Sequence, residues 1–485
     1  MKKLTSLCLT VLLLTGCSGF LDEDFKGQVV GNASLSTVEG LEAALVGAYK
    51  GLASTWGTGF LHATAIGATM GGEDVTTHPA SNKQEFREFD QFAVSAGNSR
   101  TGNLYNGCYK TIQGANNIIN NYHLTVGDQT RINAIAGEAH FIRALAYYWL
   151  VRLYGAIPLI TTAEYSQELL TIGKTNPPEI YALIESDLLT AEGLLPTVKR
   201  DPGRPNIGAA KALLADVYLT EGGWPIKDAS KYALAAAKAK EVIDNKTAYG
   251  FDLMETFAET FDNDPAVATL PEHVFQISAF KGVWHTANTT YGFAAMPGDI
   301  TGWDDYFPEI NFFLDFPAGP RKDKTFRTTF TLLDGNTITW QQTQTKHPYY
   351  GKFWIKGDVK AYDSSLPFVM MRYAHVLTIY AEAKARSGGP DQLAYDAVNA
   401  IRDRAGLVPL GALSADDFAA AVVQERAWEF AGERTRWFDL VRLEMVEAAN
   451  ANKNANDLSP INAITKDDYT FPLPLSETLA NPNLE

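Results

Sequence analysis

The sequence predicts a mainly α-helical fold: a stack of helix pairs carrying loop-rich insertions with short strands. Three observations predict it. Apolar residues recur with a helical period in paired segments of roughly 34–40 residues, the length of a helix-pair repeat. Small residues, Ala209, Ala212 and Ala215 in one pair and Ala381, Ala383 and Ala385 in another, fall where facing helices approach closely. Between 246 and 371 no 3.6-residue period is sustained, and Gly, Pro and Trp gather instead. A helix pair buries its apolar face only against its neighbours, so the pairs are expected to stack as tetratricopeptide repeats do, although the strict repeat consensus is matched weakly.

The elements follow in order. Val38, Leu41, Leu45 and Tyr49 set a first helix over 36–53. Residues 54–102 lose the period and are rich in Gly, Thr, Asn and Ser, which predicts a long irregular insertion of the kind that is usually functional. A second helix is expected over 104–121. The strongest pattern covers 132–154, where Ile135, Ile142, Leu145 and Trp149 form one stripe, broadened by Phe141, Tyr148 and Leu153 and ended by Gly155. Asn176-Pro177-Pro178, a capping residue before first-turn prolines, opens a helix that runs to Leu195. Helices over 206–220 and 228–245 are divided by Gly222-Gly223-Trp224-Pro225, and those over 372–387 and 391–405 by Gly388-Gly389-Pro390. Within the aperiodic region, 330–333 and 337–340 flank Asp334-Gly335-Asn336 as a hairpin.

Composition narrows the function. Of 485 residues, 46% are hydrophobic and 20% charged, too apolar for a disordered chain and too interrupted by charge for a polytopic membrane protein. Lys and Arg number 41 against 56 Asp and Glu, a formal charge of −15 with no basic run, so nucleic acid is not an expected partner. Met1-Lys2-Lys3, the apolar run 4–14 and Leu14-Thr15-Gly16-Cys17 read as a signal peptide over 1–16. The apolar run is too short for a spanning helix, which needs about 20 residues. Leu-Thr-Gly-Cys resembles the bacterial lipobox, which makes Cys17 the expected lipidation site and 17–35 a lipidated tether. The acidic triplet Asp22, Glu23 and Asp24 resembles a surface-export signal, the alternative being a plain solvated tether. Beyond the leader only Cys108 remains, so no internal disulfide is expected.

Catalytic signatures do not emerge. There is no His-Glu-x-x-His, no Gly-x-Ser-x-Gly and no phosphate-binding loop. Asp262-Asn263-Asp264 resembles the start of a calcium loop without its later glycine and glutamate. No metal, cofactor or catalytic residue is therefore assigned, and the Asp304–Asp305 pair is uninformative among so many acidic residues.

The aromatic residues are more telling. Four of the nine tryptophans, Trp284, Trp303, Trp340 and Trp354, fall between 274 and 360. A sugar ring has an apolar C–H face and hydroxyl edges, so an exposed Trp or Tyr stacks beneath it while Asn, Asp or Gln serve the rim. Trp284, Tyr291, Trp303, Tyr306 and Trp340, with Asp304 and the neighbouring Asn288, Asp299 and Asp305, are the candidate platform. Any one aromatic has the alternative of filling the core; the expectation is that at least one is a platform.

These residues resemble a known family, the SusD/RagB outer-membrane nutrient-uptake lipoproteins of Bacteroidetes. The resemblance rests on Cys17 to Asp22, on Arg143-Ala144-Leu145-Ala146-Tyr147-Tyr148 with Val151-Arg152-Leu153-Tyr154-Gly155, and on Gly203-Arg204. It continues through Arg372-Tyr373-Ala374-His375, Asn399-Ala400-Ile401-Arg402-Asp403-Arg404-Ala405-Gly406, Arg436-Trp437-Phe438-Asp439 and Phe471-Pro472-Leu473-Pro474. It implies a SusD-like helical region over 36–245 with the 54–102 insertion, a loop-rich aromatic insertion over 246–371, and a C-terminal helical region over 372–485. It also implies a non-enzymatic, lipid-anchored protein of the outer membrane, facing the cell exterior. Such a protein captures oligosaccharide or polysaccharide, or in some members peptide, for a TonB-dependent SusC-like transporter. Two other readings remain at this point, a lid with little affinity of its own and a surface glycoside hydrolase.

Overall fold

The computed structural model describes residues 31–54, 59–282, 286–358 and 360–485. The leader, Cys17 and Trp284 lie outside them. The longer helices are α1 Val38–Ala53, α2 Gln84–Asp90, α3 Ser99–Asn121, α4 Gln129–Tyr154, α5 Pro177–Leu194, α6 Ile207–Glu221, α7 Lys231–Asp244, α8 Tyr373–Gly388, α9 Gln392–Arg404, α10 Ala415–Glu429 and α11 Arg436–Arg442. Consecutive members from α3 to α9 pack side by side, with α1 against α3. The stack is mainly α, as predicted, and α7 packs on α8 across the whole insertion between them, so the helical core is continuous.

Local chemistry explains the elements. The Asp128 carboxylate caps α4 by accepting from the Thr130 amide, and Gly155 ends the helix at a positive φ of 68°. Between these ends α4 is buried almost all round, the signature of a central helix. The alanines of α6 and α8 are buried at the helix contacts, as their size requires. A Cβ on Gly114 of α3 would lie 2.7 Å from the Ala48 Cβ of α1, so those helices meet at a glycine.

Two segments depart from the sequence reading. The irregular 54–102 stretch contains α2 and the turn Thr64–Gly67, and α3 starts at Ser99, where the Asn98 side chain accepts from the Arg100 amide. Its first turn is polar, so no apolar period announces it. The α10 helix was also invisible to periodicity, because its inward face carries Glu425, Arg426 and Glu429 where a stripe would need apolar residues.

Among the described residues the insertion holds six short strands in three antiparallel pairs: β1 His273–Ile277 with β6 Phe368–Arg372, β2 Phe326–Arg327 with β5 Tyr349–Tyr350, and β3 Thr329–Thr331 with β4 Thr337–Thr339. The predicted hairpin is the last, in the register Phe330 to Ile338, with Gly335 turning at φ 86°.

Buried charge joins this insertion to the stack. Arg372, 1% exposed at the end of β6, donates from Nε to Glu433 Oε2 at 2.8 Å, from Nη1 to Glu429 Oε1 at 2.9 Å and to Glu272. Arg404 of α9 donates to Glu272 Oε2 at 2.7 Å and Glu429 Oε1 at 2.6 Å. Arg321 reaches Glu425 and Glu429 of α10, and Lys352 reaches Glu433. Burial by itself would raise the Glu272 carboxyl, but the Arg372 and Arg404 charges outweigh it and hold it at about 2, below its ordinary 4.5.

Removing one member of such a network leaves its partners as uncompensated buried charges. Arg372→Met is expected to cost about 3–5 kcal/mol, read as a fall in the urea midpoint; a change within about 0.5 kcal/mol, as at ordinary surface sites, would show the network to be idle. Because the Glu272 carboxyl is depressed in the fold, its contribution is complete above pH 4.5 and is lost as pH falls toward 2. Acid titration of the melting temperature, wild type beside Glu272→Gln, checks the sign: the variant should lose less stability over that interval.

Candidate functional site

A wide, polar open cleft lies where the 59–83 segment meets the 286–310 loop. It encloses about 590 Å³ and is lined by His62, His78, Asn82, Lys83, Arg100, Trp303, Asp304, Asp305 and Gln344, among others. Small-molecule sites typically enclose about 300–1,000 Å³.

The two walls are stitched by backbone. Thr76 and Phe307 exchange hydrogen bonds in an antiparallel bridge, N to O 2.8 and 3.1 Å, and the Thr289 amide donates to the Leu61 carbonyl at 2.9 Å. The Thr77 hydroxyl donates to the Asp305 carbonyl at 2.8 Å. The 293–305 loop then folds back on itself, Trp303 N donating to Phe293 O at 2.8 Å and Asp305 N to Ala294 O at 3.1 Å. The return is tight: a Cβ on Gly302 would lie 2.1 Å from the Met296 carbonyl oxygen, and Thr301 and Asp304 both have positive φ, 76° and 52°. Non-glycine residues adopt such angles at an energetic cost of order 1–3 kcal/mol, which the surrounding bonds must offset.

Below the bridge the Thr76 hydroxyl donates to Asp90 at 2.7 Å. Nearby, Lys453 pairs with Glu309, and His347 Nε2 contacts Asp457 at 2.8 Å. These buried groups join α2, the 303–310 stretch of the wall, the 344–350 segment and residues 453–457 into one floor.

The sequence candidates separate cleanly. Trp303 lines the cleft, half-buried, with Phe293 tilted beside it at 6.0 Å and Tyr362, 43% exposed, edge-on at 5.5 Å. Asp304 is also at the cleft; its carboxylate accepts from the Gly298 amide at 2.8 Å and from the Tyr349 hydroxyl, and burial raises it above its ordinary range. Asp305 is held by Lys83, and Asp299 positions Gln344 by accepting its amide at 3.1 Å.

Tyr291 and Tyr306 are corrections. Tyr291 is 5% exposed and stacks on Phe353 at 5.1 Å, and Tyr306 is fully buried with its hydroxyl on the Thr290 carbonyl at 2.9 Å. Neither ring offers a face to a ligand; both fill the core under the loops. Trp340 packs with Phe313, 5.9 Å away, beside a second apolar cluster, and does not line the cleft. Asn288 is buried, its amide on the Leu366 carbonyl. Trp284 lies outside the described residues.

Sequence reasoning missed Lys83, Arg100, His62, His78, Asn82, Gln344 and Tyr362. No signal marked them individually, since they stand more than two hundred positions from Trp303 or are common polar residues; only the irregularity of 54–102 pointed to that wall. Two other cavities are less suited. A cleft of about 400 Å³ between Met254 and Arg372 is largely apolar and its rings, Phe261 and Tyr291, are buried; one of about 70 Å³ beside Arg152 is too small. Among the described residues no helix is long and apolar enough to cross a membrane, and no cluster of three His, Cys, Asp or Glu is placed to hold a metal ion.

Comparison with known proteins gives this architecture a family. The family model described as SusD family matches residues 319–485, and the model described as starch-binding associating with outer membrane matches 31–219. A SusD-like protein P2 of Formosa agariphila is 31% identical over 98% of this chain and 97% of its own. The chain belongs to the SusD family. A crystal structure of a SusD superfamily protein from Parabacteroides distasonis superposes with a TM-score of 0.79 at 26% identity, covering 92% of this chain and 98% of that one. A laminarin-binding SusD-like protein superposes with a TM-score of 0.74 at 22% identity, covering 92% and 98%.

The division between core and cleft aromatics has a direct check. Tyr306→Ala, which empties a buried site, is expected to cost about 3–5 kcal/mol in urea unfolding. Trp303→Ala is expected to cost less than half of that; equal losses would place Trp303 in the core.

Proposed function

We propose that this chain is a surface glycan-binding protein anchored to the outer membrane through lipid on Cys17. It captures oligosaccharide or polysaccharide and hands it to a TonB-dependent SusC-like transporter. The observation that carries the reading is Trp303: a half-buried indole backed by Phe293, on a cleft of about 590 Å³ whose rim presents Asn82, Asp304 and Gln344. An indole face of this kind covers the C–H face of a pyranose, while amide and carboxylate groups exchange hydrogen bonds with hydroxyls at its edge.

Membership of the SusD family supports the same reading, as does structural likeness to a laminarin-binding protein. The lipobox-like Leu14-Thr15-Gly16-Cys17 supports the anchor, since lipid chains on one cysteine hold a protein at a bilayer without a spanning helix. Delivery to a transporter follows from the family resemblance. Trp284 and Trp340 are retained as candidate contacts of longer ligands.

Two experiments test this. Calorimetric titration of the soluble form lacking the Cys17 anchor, against a panel of oligosaccharides and peptides, should give glycan binding that Trp303→Ala weakens about tenfold or more; peptide binding without any glycan response overturns the reading. In cells, Cys17→Ala should move the protein out of the outer-membrane fraction.

A further inference from the structure

We infer that the ligand of this cleft carries an acidic group, a carboxylate or a sulfate, seated against Arg100. The inference rests on reading the cleft as a glycan site and adds the class of glycan.

The argument is an asymmetry in how the cleft's charges are spent. Both carboxylates are engaged by the protein itself. Asp305 is paired with Lys83, and Asp304 accepts from the Gly298 amide at 2.8 Å and from the Tyr349 hydroxyl. Lys83 is likewise consumed by Asp305. Arg100 is not. It stands in the first turn of α3, its guanidinium carbon 3.7 Å from the centroid of the Phe86 ring. Nη1 donates to the Thr64 hydroxyl at 3.3 Å, and Nε is buried with no hydrogen-bond acceptor. The nearest carboxylate oxygen, Glu85 Oε2, is 3.5 Å away, while the other oxygen of Glu85 accepts the Ser99 amide at 3.0 Å.

A guanidinium presents five N–H donors in a rigid fork that matches a carboxylate or sulfate, and a buried donor left unsatisfied is costly. Arg100 thus has donor capacity to spare in a cleft where Asp305 is already paired with Lys83 and Asp304 is held through one oxygen by Gly298 and Tyr349. The surrounding groups respond to it. Burial pushes the guanidinium below its ordinary range, with Asp305 and Glu85 compensating only in part. His62, on the same wall, is driven down to about 3, first by burial and then by the Arg100 and Lys83 charges, so it adds a neutral polar ring and no competing proton. A chain of formal charge −15 repels anions at long range, so an acidic ligand requires a local cation of this kind. The ring of an acidic sugar on Trp303 with its anionic substituent on the Arg100 fork uses both features of the cleft.

The test removes the charge from each side in turn. The soluble protein is titrated with an oligogalacturonide and its carboxyl-reduced form, a sulfated galactan oligosaccharide and its desulfated form, and a neutral laminarin oligosaccharide. At least one acidic member should bind about tenfold or more tightly than its uncharged counterpart, and Arg100→Gln should shrink that advantage to about twofold or less, with Arg100→Lys between. Which pair shows the advantage identifies carboxylate or sulfate. Should Arg100→Gln fail to fold, the ligand-side comparison on the wild type decides alone. Equal binding of charged and uncharged members, or an advantage that Arg100→Gln leaves intact, overturns the inference while leaving glycan binding standing. Binding of none of them, the neutral laminarin oligosaccharide included, overturns both.

Discussion

Arg372 is the side chain on which the arrangement depends. It lies at the junction of β6 and α8, is 1% exposed, and meets Glu272 from the insertion together with Glu429 and Glu433 from the C-terminal stack. An apolar interface between insertion and stack tolerates sliding, whereas five cations and four carboxylates with fixed hydrogen-bond directions define one docking geometry. The cost is desolvation: ion pairs of this kind contribute little net stability over well-packed apolar groups, but an incorrect docking would leave several charges buried and unpaired. Arg321, Lys352, Arg402 and Arg404 extend the same constraint to β2, β5 and α10.

From that anchorage the cleft follows. The insertion has few long elements, so its loops take their positions from contacts with rigid neighbours. The Thr76–Phe307 bridge and the Asp90–Lys453–Glu309 group fix one end, and the return of 303–305 on 293–296 fixes the other. Positive φ at Thr301 and Asp304, with glycine between them in sequence at 302, turns the Trp303 ring outward from a segment whose neighbours at 306 and 307 are fully buried. Local strain here is the means by which one aromatic of a buried run reaches solvent.

How much of this was legible in the sequence varies by element. Helices with an apolar stripe, α1 and α4 to α9, were readable because their burial is reported by periodicity. The α10 helix was not, since the ion network occupies its inner face with Glu425, Arg426 and Glu429 and erases the stripe. Among the aromatics the sequence marked a region and could not sort it. Tyr291, Trp303 and Tyr306 share a composition and a loop, yet two are core and one lines the cleft. The cationic wall had no residue-level signal beyond the irregularity of 54–102, because Lys83 and Arg100 look like ordinary surface residues until the fold brings them to the cleft with Asp305 and Trp303.

The sequence by itself determined the helical class and the family, since these reside in local periodicity and contiguous motifs that each segment carries without reference to the rest. Only the tertiary structure decided which rings face solvent and which charges are left over. Exposure and charge compensation are sums over neighbours from distant segments: Arg100 has donors to spare because Asp305 went to Lys83 and Glu85 divides its oxygens between the Ser99 amide and a long ion pair, and no local pattern records where another segment's partner has been spent.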